Sequence, residues 1–240
     1  NHLYLLSKNG KTEDLTPGEK EKASFLKWNK PKNAMFFLST ARDARFFDLY
    51  KMNIENLKKE MIYQNDEAYY IKDIGPDEKI IALEKMITTA ESRIFLYNLE
   101  NKKLIEISNP EKPGSYSVSG FGKKGEYFYY LTDAGAEFKY LAEYNIKTGN
   151  SRVFFKTDWD VMYSSLSENG KFRVIAVNED GRNKITVINN ENDSEVKFPD
   201  IPDGDIAGVK FSDSEKLARL TVGTSKTPYN IYIYNLETKE

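Results

Sequence analysis

The chain of 240 residues contains no cysteine and a single histidine, His2, beside its first residue. Without cysteine, a disulfide framework and a thiolate metal site are both excluded. Because the only imidazole lies at a chain end, a Ser/His/Asp triad, a histidine general base and a histidine-ligated metal are all disfavoured. The G-x-S-x-G segment that positions a nucleophilic serine in α/β-hydrolases does not occur either. We therefore predict that this chain by itself is not an enzyme.

The sequence also lacks a surplus of positive charge and any long apolar run. Its 35 Lys and Arg residues stand against 37 Asp and Glu residues, a net charge of −2. That balance disfavours binding to a nucleic-acid backbone or an anionic membrane. Apolar runs such as 127–131 and 174–177 are far shorter than the ~20 residues of a membrane-spanning helix. No signal-peptide pattern opens the chain, so cytoplasmic and exported locations both stay open.

What the sequence does contain is one segment in several copies. Aligned on an asparagine, the copies stand at steps of 45, 47, 44 and 46 residues, at Asn53, Asn98, Asn145, Asn189 and Asn235. A degenerate sixth copy contains Ser7, which lies 46 residues before Asn53. Each unit holds about four short runs rich in Tyr, Phe, Val and Ile, separated by polar turns and without helical periodicity. The repeat therefore predicts short antiparallel strands.

A four-stranded unit of this length cannot bury both faces of its sheet alone, so the units must stack on one another. Radial stacking gives an all-β fold, a β-propeller of four-stranded antiparallel blades. We predict about five blades plus one extra N-terminal strand, with units at 1–16, 17–64, 65–109, 110–156, 157–199 and 200–240. Residues 230–240 are interpreted as the outer strand of the last blade, and 3–15 as a lone outer strand. On this interpretation the chain is part of a longer array and forms an incomplete, open propeller.

Two local expectations follow from the repeat. Apolar residues of the middle strands are predicted to pack between blades, among them Met35, Phe37, Ile81, Tyr127, Tyr129, Val174 and Ala176. The turn before each middle strand has a glycine in two units, at Gly125 and Gly170. The other three units have Lys32, Glu78 and Glu215 there. Because residues with a Cβ disfavour positive φ, we predict that these three turns avoid it.

Polar clusters recur between the second and third strands of the units, in loops that share one end of a propeller and commonly present binding groups. Their charged residues are our candidates for contacts with substrate or partner: Arg42, Asp43, Arg45, Glu137, Lys139 and Arg182. The alternative for all six residues is that they are solvated loop charges or form salt bridges between blades. Asp200, Asp203 and Asp205 offer oxygen ligands of the kind Ca²⁺ takes, but they do not match an EF-hand loop. A plain turn is preferred there, and no metal site or cofactor is predicted.

Four segments carry a family resemblance: "FFLSTARDARFFDLYKMNI", "YYLTDAGAEFKYLAEYNIKTG", "TDWDVMYSSLSENGKFRVIAVNEDGRNKITV" and "TSKTPYNIYIYNLETKE". They resemble the propeller of serine peptidases of the prolyl oligopeptidase family, especially its bacterial acylaminoacyl-peptidase and dipeptidyl-peptidase-like branch. The resemblance covers essentially the whole chain. In this family an α/β-hydrolase domain with Ser, Asp and His follows the propeller. No stretch of these 240 residues matches that domain, so no catalytic residue is carried over.

The resemblance implies a non-catalytic propeller that restricts access to the hydrolase domain and contacts its peptide substrates. The alternative is a free-standing TolB-like propeller that acts as a protein-interaction scaffold in the cell envelope. A third hypothesis, a propeller lyase acting on sugars, is disfavoured because the chain has no internal histidine. Exposed apolar blade faces invite pairing with another copy. We therefore expect the chain either to remain an open arc or to self-associate through those faces.

Overall fold

The computed structural model describes residues 1–199, 204–223 and 228–240. Every regular element within these ranges is a β-strand, which confirms the all-β class. No helix in the described part of the chain is long and apolar enough to cross a membrane. The chain folds into two compact units, Asn1–Glu111 and Lys112–Glu240.

The first unit contains a hairpin and two four-stranded sheets. The hairpin consists of β1 (Tyr4–Leu6) and β2 (Thr12–Asp14). Blade 1 consists of β3 (Ala23–Trp28), β4 (Ala34–Ser39), β5 (Asp48–Asn53) and β6 (Lys59–Tyr63). Blade 2 consists of β7 (Tyr70–Ile74), β8 (Ile80–Met86), β9 (Ser92–Asn98) and β10 (Leu104–Glu106). In each sheet the strands pair antiparallel in chain order.

The second unit contains three sheets of the same kind. Blade 3 consists of β11 (Tyr116–Phe121), β12 (Tyr127–Thr132), β13 (Tyr140–Asn145) and β14 (Ser151–Phe155). Blade 4 consists of β15 (Asp160–Leu166), β16 (Phe172–Glu179), β17 (Arg182–Asn189) and β18 (Ser194–Glu195). Blade 5 consists of β19 (Asp205–Phe211), β20 (Leu217–Gly223) and β21 (Asn230–Asn235). The prediction of antiparallel blades built on a four-strand plan is confirmed.

The repeated asparagine ends the third strand of its blade and forms the turn that follows. Asn145 Oδ1 accepts hydrogen bonds from the backbone N–H groups of Lys147 (3.0 Å) and Thr148 (2.9 Å). The same pair of bonds occurs at Asn53, Asn98 and Asn235. An asparagine side chain that caps such a turn stabilises a tight reversal. The sequence repeat is therefore a strand end and its turn.

This geometry corrects the interpretation of residues 230–240 as an outer strand. Strand β21 pairs with β20 and corresponds to the third strand of the other blades, not the fourth. The interpretation was wrong because the asparagine marks the turn after the third strand, and its side-chain bonds hold that turn in place. In the described residues blade 5 thus has three strands.

Residues 3–15 likewise form two strands instead of one. Tyr4 pairs with Asp14 and Leu6 with Thr12 across the hairpin. The reversal between them is fixed by backbone bonds from Gly10 N–H to Ser7 O and from Ser7 N–H to Lys11 O, both 2.9 Å. By the repeat period, β1 and β2 correspond to the third and fourth strands of a blade.

The prediction that three turns avoid positive φ is wrong. Lys32, Glu78 and Glu215 have φ of 57°, 61° and 57°, close to 73° at Gly125 and 81° at Gly170. In each of the five turns the backbone N–H of this residue donates to the carbonyl three residues earlier. That bond and the flanking strands impose one backbone conformation, and the non-glycine residues adopt it at a steric cost.

The core lies between neighbouring sheets, as predicted for the middle strands. Met35, Phe37, Ile81, Val174 and Ala176 are buried, as is Tyr129, and Tyr127 is half-buried. Separate apolar clusters join the hairpin to blade 1, blade 1 to blade 2, blade 3 to blade 4, and blade 4 to blade 5. Each boundary between these sheets therefore has its own core.

The alternation of side chains along the third strands decides which sheet each residue contacts. Residues two and four positions before the repeated asparagine, such as Leu49, Leu141 and Val187, pack in the cluster shared with the following blade. Residues one and three positions before it, such as Phe95 and Tyr234, pack in the cluster shared with the preceding blade. We call these the forward face and the backward face of a sheet. Successive strand residues point to opposite faces, which explains the rule.

Candidate functional site

In blades 1 to 4 the predicted polar clusters lie at the end of the sheet that holds both the loop between the second and third strands and the connection that follows the fourth strand. In blade 1 these segments are 40–47 and 64–69, and in blade 3 they are 133–139 and 156–159. The predicted cluster of blade 5 includes residues outside the described ranges. In an antiparallel sheet both segments lie at the same end, which brings loop side chains and connecting chain together. The candidate residues are therefore distributed over both units.

In the first unit, Arg42 binds Asp48, the first residue of β5. Its guanidinium donates from Nε to Asp48 Oδ2 (2.7 Å) and from Nη2 to Asp48 Oδ1 (2.9 Å). Nη2 also donates to the carbonyl of Asn65 (3.0 Å), and it lies 3.1 Å from Asp66 Oδ1. The hydrogen bonds to Asp48 raise the pKa of Arg42, so the cation is permanent. This network joins loop, third strand and connection, which is a structural role.

Asp43 and Arg45 form a second pair within the same loop. Arg45 donates from Nη2 to Asp43 Oδ2 (2.7 Å), and its backbone N–H donates to Asp43 Oδ1 (2.9 Å). These bonds hold the pKa of the Asp43 carboxyl far below its ordinary value. The Arg45 guanidinium lies 5.1 Å from the centre of the Phe46 ring, and 76% of its side chain is exposed. The pair therefore presents an oriented guanidinium to solvent, where it can bind a carboxylate or a carbonyl group.

In the second unit, Glu137 and Lys139 flank an aromatic contact. Phe138 and Trp159 lie with ring centres 6.3 Å apart, and Trp159 is 38% exposed. The backbone of Lys139 fixes this contact, because its N–H donates to Asp160 Oδ1 (2.8 Å) and its carbonyl accepts from Val161 N–H (2.9 Å). The sequence predicted the two charges but missed the aromatic pair between them. We call Glu137, Phe138, Lys139 and Trp159 the 138/159 cluster.

Arg182, the last candidate, is the first residue of β17 and is exposed. It follows a two-residue turn in which Asp180 and Gly181 have φ of 51° and 78°. It stands opposite Glu179 in the sheet register. Arg182 thus belongs to blade 4, whereas Glu137 and Lys139 belong to blade 3.

The first strand of every blade carries a feature that the sequence did not reveal. Each contains a β-bulge, in which one extra residue interrupts the register with the second strand, at Leu26, Lys72, Ser119, Met162 and Ala207. A bulge increases local twist and re-aims the neighbouring side chains. On β3 and β15 it accompanies exposed apolar side chains. Phe25 and Trp28 are 44% and 42% exposed, with ring centres 5.5 Å apart, and Met162 is 53% exposed.

Polar contacts join adjacent first strands beside the bulges. Lys27 Nζ donates to Asp73 Oδ1 (2.7 Å) and to the carbonyl of Ile74 (3.1 Å). Ser119 Oγ donates to the carbonyl of Ser164 (3.0 Å). Asp73 thus neutralises the charge of Lys27 on β3. The aromatic rings of Phe25 and Trp28 then form the exposed apolar surface of that strand.

The residues considered for a metal do not form a described site. Across 1–199, 204–223 and 228–240, no three His, Asp or Glu side chains come close enough to hold a metal ion. Asp205 lies at the start of β19, whereas Asp200 and Asp203 lie outside the described residues. His2 is engaged by Asp14 Oδ2 (2.7 Å) and by the carbonyl of Gly18 (2.9 Å).

Solved structures with the same architecture come from proteins of different activities. TolB from Acinetobacter baumannii matches 99% of this chain and 58% of its own length, at 12% identity and a TM-score of 0.65. An oligogalacturonate lyase in complex with manganese matches 100% of this chain and 69% of its own length, at 12% identity and a TM-score of 0.74. Prolyl oligopeptidase B from Galerina marginata matches 88% of this chain, at 15% identity and a TM-score of 0.66.

These likenesses show the fold, a β-propeller, as the sequence predicted. The chain spans 58% of the TolB chain and 31% of the prolyl oligopeptidase B chain. No curated protein matches it. A family model described as the N-terminal β-propeller domain of prolyl oligopeptidase matches residues 7–240. The chain therefore belongs to the family of prolyl oligopeptidase N-terminal β-propeller domains.

Proposed function

We propose that the chain is the non-catalytic propeller of a serine peptidase and that it controls the access of peptides to an α/β-hydrolase domain. The observation that carries this proposal is the family match over residues 7–240. Its physical basis is steric, because a narrow passage beside or through a propeller admits an extended peptide and excludes a folded protein. The propeller then acts as a size filter.

Two groups of exposed residues are suited to contact such a peptide. Phe25 and Trp28 offer aromatic surface on a first strand whose lysine is already paired. In the 138/159 cluster, Phe138 contacts Trp159 and lies in sequence between the acidic Glu137 and the basic Lys139. Aromatic surface binds apolar side chains, and flanking charges of both signs suit a chain of mixed composition. We therefore propose that both groups contact the peptide, and that the oriented guanidinium of Arg45 is a third contact.

The two tryptophans of the chain make this proposal measurable, because Trp28 and Trp159 lie in the two groups and no other tryptophan is present. Titration with unstructured peptides of about ten residues should change the intrinsic fluorescence, since stacking alters the exposure of the indole. Trp28→Phe and Trp159→Phe would assign the change to one group or the other. Assays with chromogenic peptides should detect no hydrolysis by the chain. Measurable hydrolysis, or an absence of peptide binding at millimolar concentration, would contradict the proposal.

The alternative is a TolB-like propeller that serves as a protein-interaction scaffold in the cell envelope. The likeness to TolB favours it only at the level of the fold. The native reading frame separates the two proposals. A G-x-S-x-G segment followed by Asp and His within roughly 250 residues after Glu240 supports the peptidase, because that is the order of an α/β-hydrolase triad. A stop codon near Glu240 supports the scaffold.

A further inference from the structure

Blade 4 has a buried arginine at a position where the other four blades have an apolar residue. In each blade the turn between the first and second strands is closed by a hydrogen bond to the carbonyl of the first residue of the second strand, which is Phe172 in blade 4. The next residue is Arg173, which is 2% exposed. Its equivalents in the other blades are at most 4% exposed and apolar: Met35, Ile81, Phe128 and Ala218. The fold therefore does not itself require a cation at this position.

The Arg173 guanidinium lies beside aromatic residues of the apolar cluster between blades 3 and 4. Its central carbon is 3.7 Å from the centre of the Tyr129 ring and 4.7 Å from that of the Phe154 ring. Nη1 donates to Ser164 Oγ (3.1 Å). Nε is buried and has no acceptor among the described residues. Because a buried donor without an acceptor destabilises the fold, Nε is a group to which a ligand can bind with gain.

The positive charge of Arg173 is also incompletely balanced. Burial lowers its pKa, and Tyr129 and Glu143 oppose that change. Glu143, which is 4% exposed, already accepts a hydrogen bond from Arg152 Nε. The side chains of Arg152, Glu143 and Arg173 thus bring together two positive charges and one negative charge. In a low-dielectric interior, such an excess favours the binding of a small ion of opposite sign.

We propose that Arg173 forms a small-anion site between blades 3 and 4, and that chloride binds there to Nε. The anion supplies an acceptor for Nε and a negative charge beside the guanidinium. Chloride suits the site better than sulfate or phosphate, because a monatomic ion needs little space in a close-packed core. It binds the folded chain and stabilises it by mass action. The site shares no residue with the proposed peptide contacts, so this proposal stands apart from the proposed function.

Urea denaturation of the 240-residue chain in chloride and in gluconate, at equal ionic strength, tests the proposal. Gluconate is too large for a close-packed boundary, and charge screening is the same in both salts. We expect a stabilisation that is specific to chloride. When chloride is at ten times its Kd, the unfolding constant should be about tenfold lower than without bound anion.

Arg173→Met identifies the site, because it removes the cation and places there the residue that blade 1 buries at Met35. Circular dichroism checks that the variant folds, and its stabilisation by chloride should be lost. Arg219→Met, at an exposed position on the second strand of blade 5, is the matched control and should respond like the parent chain. If Arg173→Met and the parent chain respond equally to the change of salt, the proposal is overturned.

A second variant keeps the test informative if Arg173→Met folds poorly. Glu143→Gln retains an acceptor for Arg152 and removes the negative charge that acts on Arg173. Chloride should then bind several-fold more tightly, because the local excess of positive charge increases. An unchanged or weaker affinity for chloride in this variant contradicts the proposal.

Crystals of the chain grown in bromide give a direct measurement, because bromide substitutes for chloride and is located by its anomalous scattering. A bromide ion within hydrogen-bond distance of Arg173 Nε is the expected result. A water molecule bound to Nε in place of the halide would show that the donor is merely hydrated, and the proposal would be refuted.

Discussion

Arg42 and Asp48 bind each other through two parallel hydrogen bonds of 2.7 and 2.9 Å. The Asp48 carboxylate is fully buried, and its Oδ1 also accepts the backbone N–H of Asn65 (2.8 Å). One carboxylate thus organises the loop that precedes its strand and the connection to the next blade. A bidentate guanidinium–carboxylate pair fixes orientation as well as distance.

Removal of Asp48 should destabilise the first unit severely. Asp48→Ala leaves the guanidinium and the Asn65 N–H without their acceptor, and the free energy of unfolding should fall by about 3 kcal/mol. Arg42→Ala should lower the free energy of unfolding by less, because water can take the place of the half-exposed guanidinium beside the Asp48 carboxylate. Urea denaturation of the two variants and the parent chain measures the difference. Equal losses would show that Asp48 has no structural role beyond its pairing with Arg42.

The stability of the fold should fall at alkaline pH, in part through Tyr63. Burial raises the pKa of the Tyr63 phenol above its ordinary value of 10.0. Well below pH 10 the phenol is protonated in both states and contributes no pH dependence. Above that pH the unfolded chain releases the proton while the folded chain retains it, so the free energy of unfolding falls as the pH rises toward the folded pKa.

Tyr63→Phe should make this alkaline decline shallower and leave the stability near pH 7 almost unchanged. Urea denaturation at a series of pH values between about 8 and 11 measures the slope, since linkage equates it with the difference in bound protons. Tyr70→Phe is the matched control, because Tyr70 is 58% exposed on the neighbouring strand β7. A control that changes the slope as much as Tyr63→Phe would disprove the assignment.

Lys102 is a position where glycine should improve the fold. Its φ is 61°, in the turn that follows Asn98. The left-handed conformation is disfavoured for a residue with a Cβ, so Lys102→Gly should raise the free energy of unfolding by about 0.5–1 kcal/mol. Lys103→Gly, one residue later, should lower it, because that glycine adds only freedom to the unfolded chain. Thermal unfolding of both variants should move in opposite directions.

Arg173 and Glu143 should respond unequally to replacement by methionine. Arg173 is 2% exposed, its guanidinium lies 3.7 Å from the centre of the Tyr129 ring, and burial lowers its pKa. Glu143, 4% exposed, bonds to Arg152. Glu143→Met leaves a buried cation without its neighbouring anion and should cost about 3 kcal/mol. Arg173→Met replaces that cation by an apolar side chain and should change stability by less than about 1 kcal/mol. Chemical denaturation of the two variants compares these losses, and a larger loss for Arg173→Met would contradict this ranking.

The sequence predicted those parts of the fold that depend on local chemistry. The repeat on Asn145 and its equivalents is visible because one side chain caps one turn, and the apolar runs beside it mark the strands. The period of the repeat therefore predicted the number of blades, although the asparagine alone did not indicate which strand of a blade it ends. The bulges have no such signature in the sequence. The inserted residues differ in size and charge, from Ala207 to Lys72, because a bulge accepts almost any side chain.

The candidate site was predicted only in part for the same reason. The charges of the loops are visible in the sequence, but their partners are set by the fold. Arg42 was indistinguishable from Arg45 as a loop arginine, and only the position of the buried Asp48 gives the two different roles. The contact between Phe138 and Trp159 joins residues 21 positions apart on a loop and a connection, so no local pattern reports it.

The alternation of forward and backward faces also bears on how such a chain can change in evolution. Tandem duplication of one whole unit inserts a sheet whose two faces already match its neighbours, so the array can gain or lose a blade in a single genetic event. Insertion of one residue within a third strand is far more harmful, because every later residue of that strand then points to the opposite face of the sheet. Variation among relatives should therefore concentrate in blade number and loop length, with strand lengths held constant.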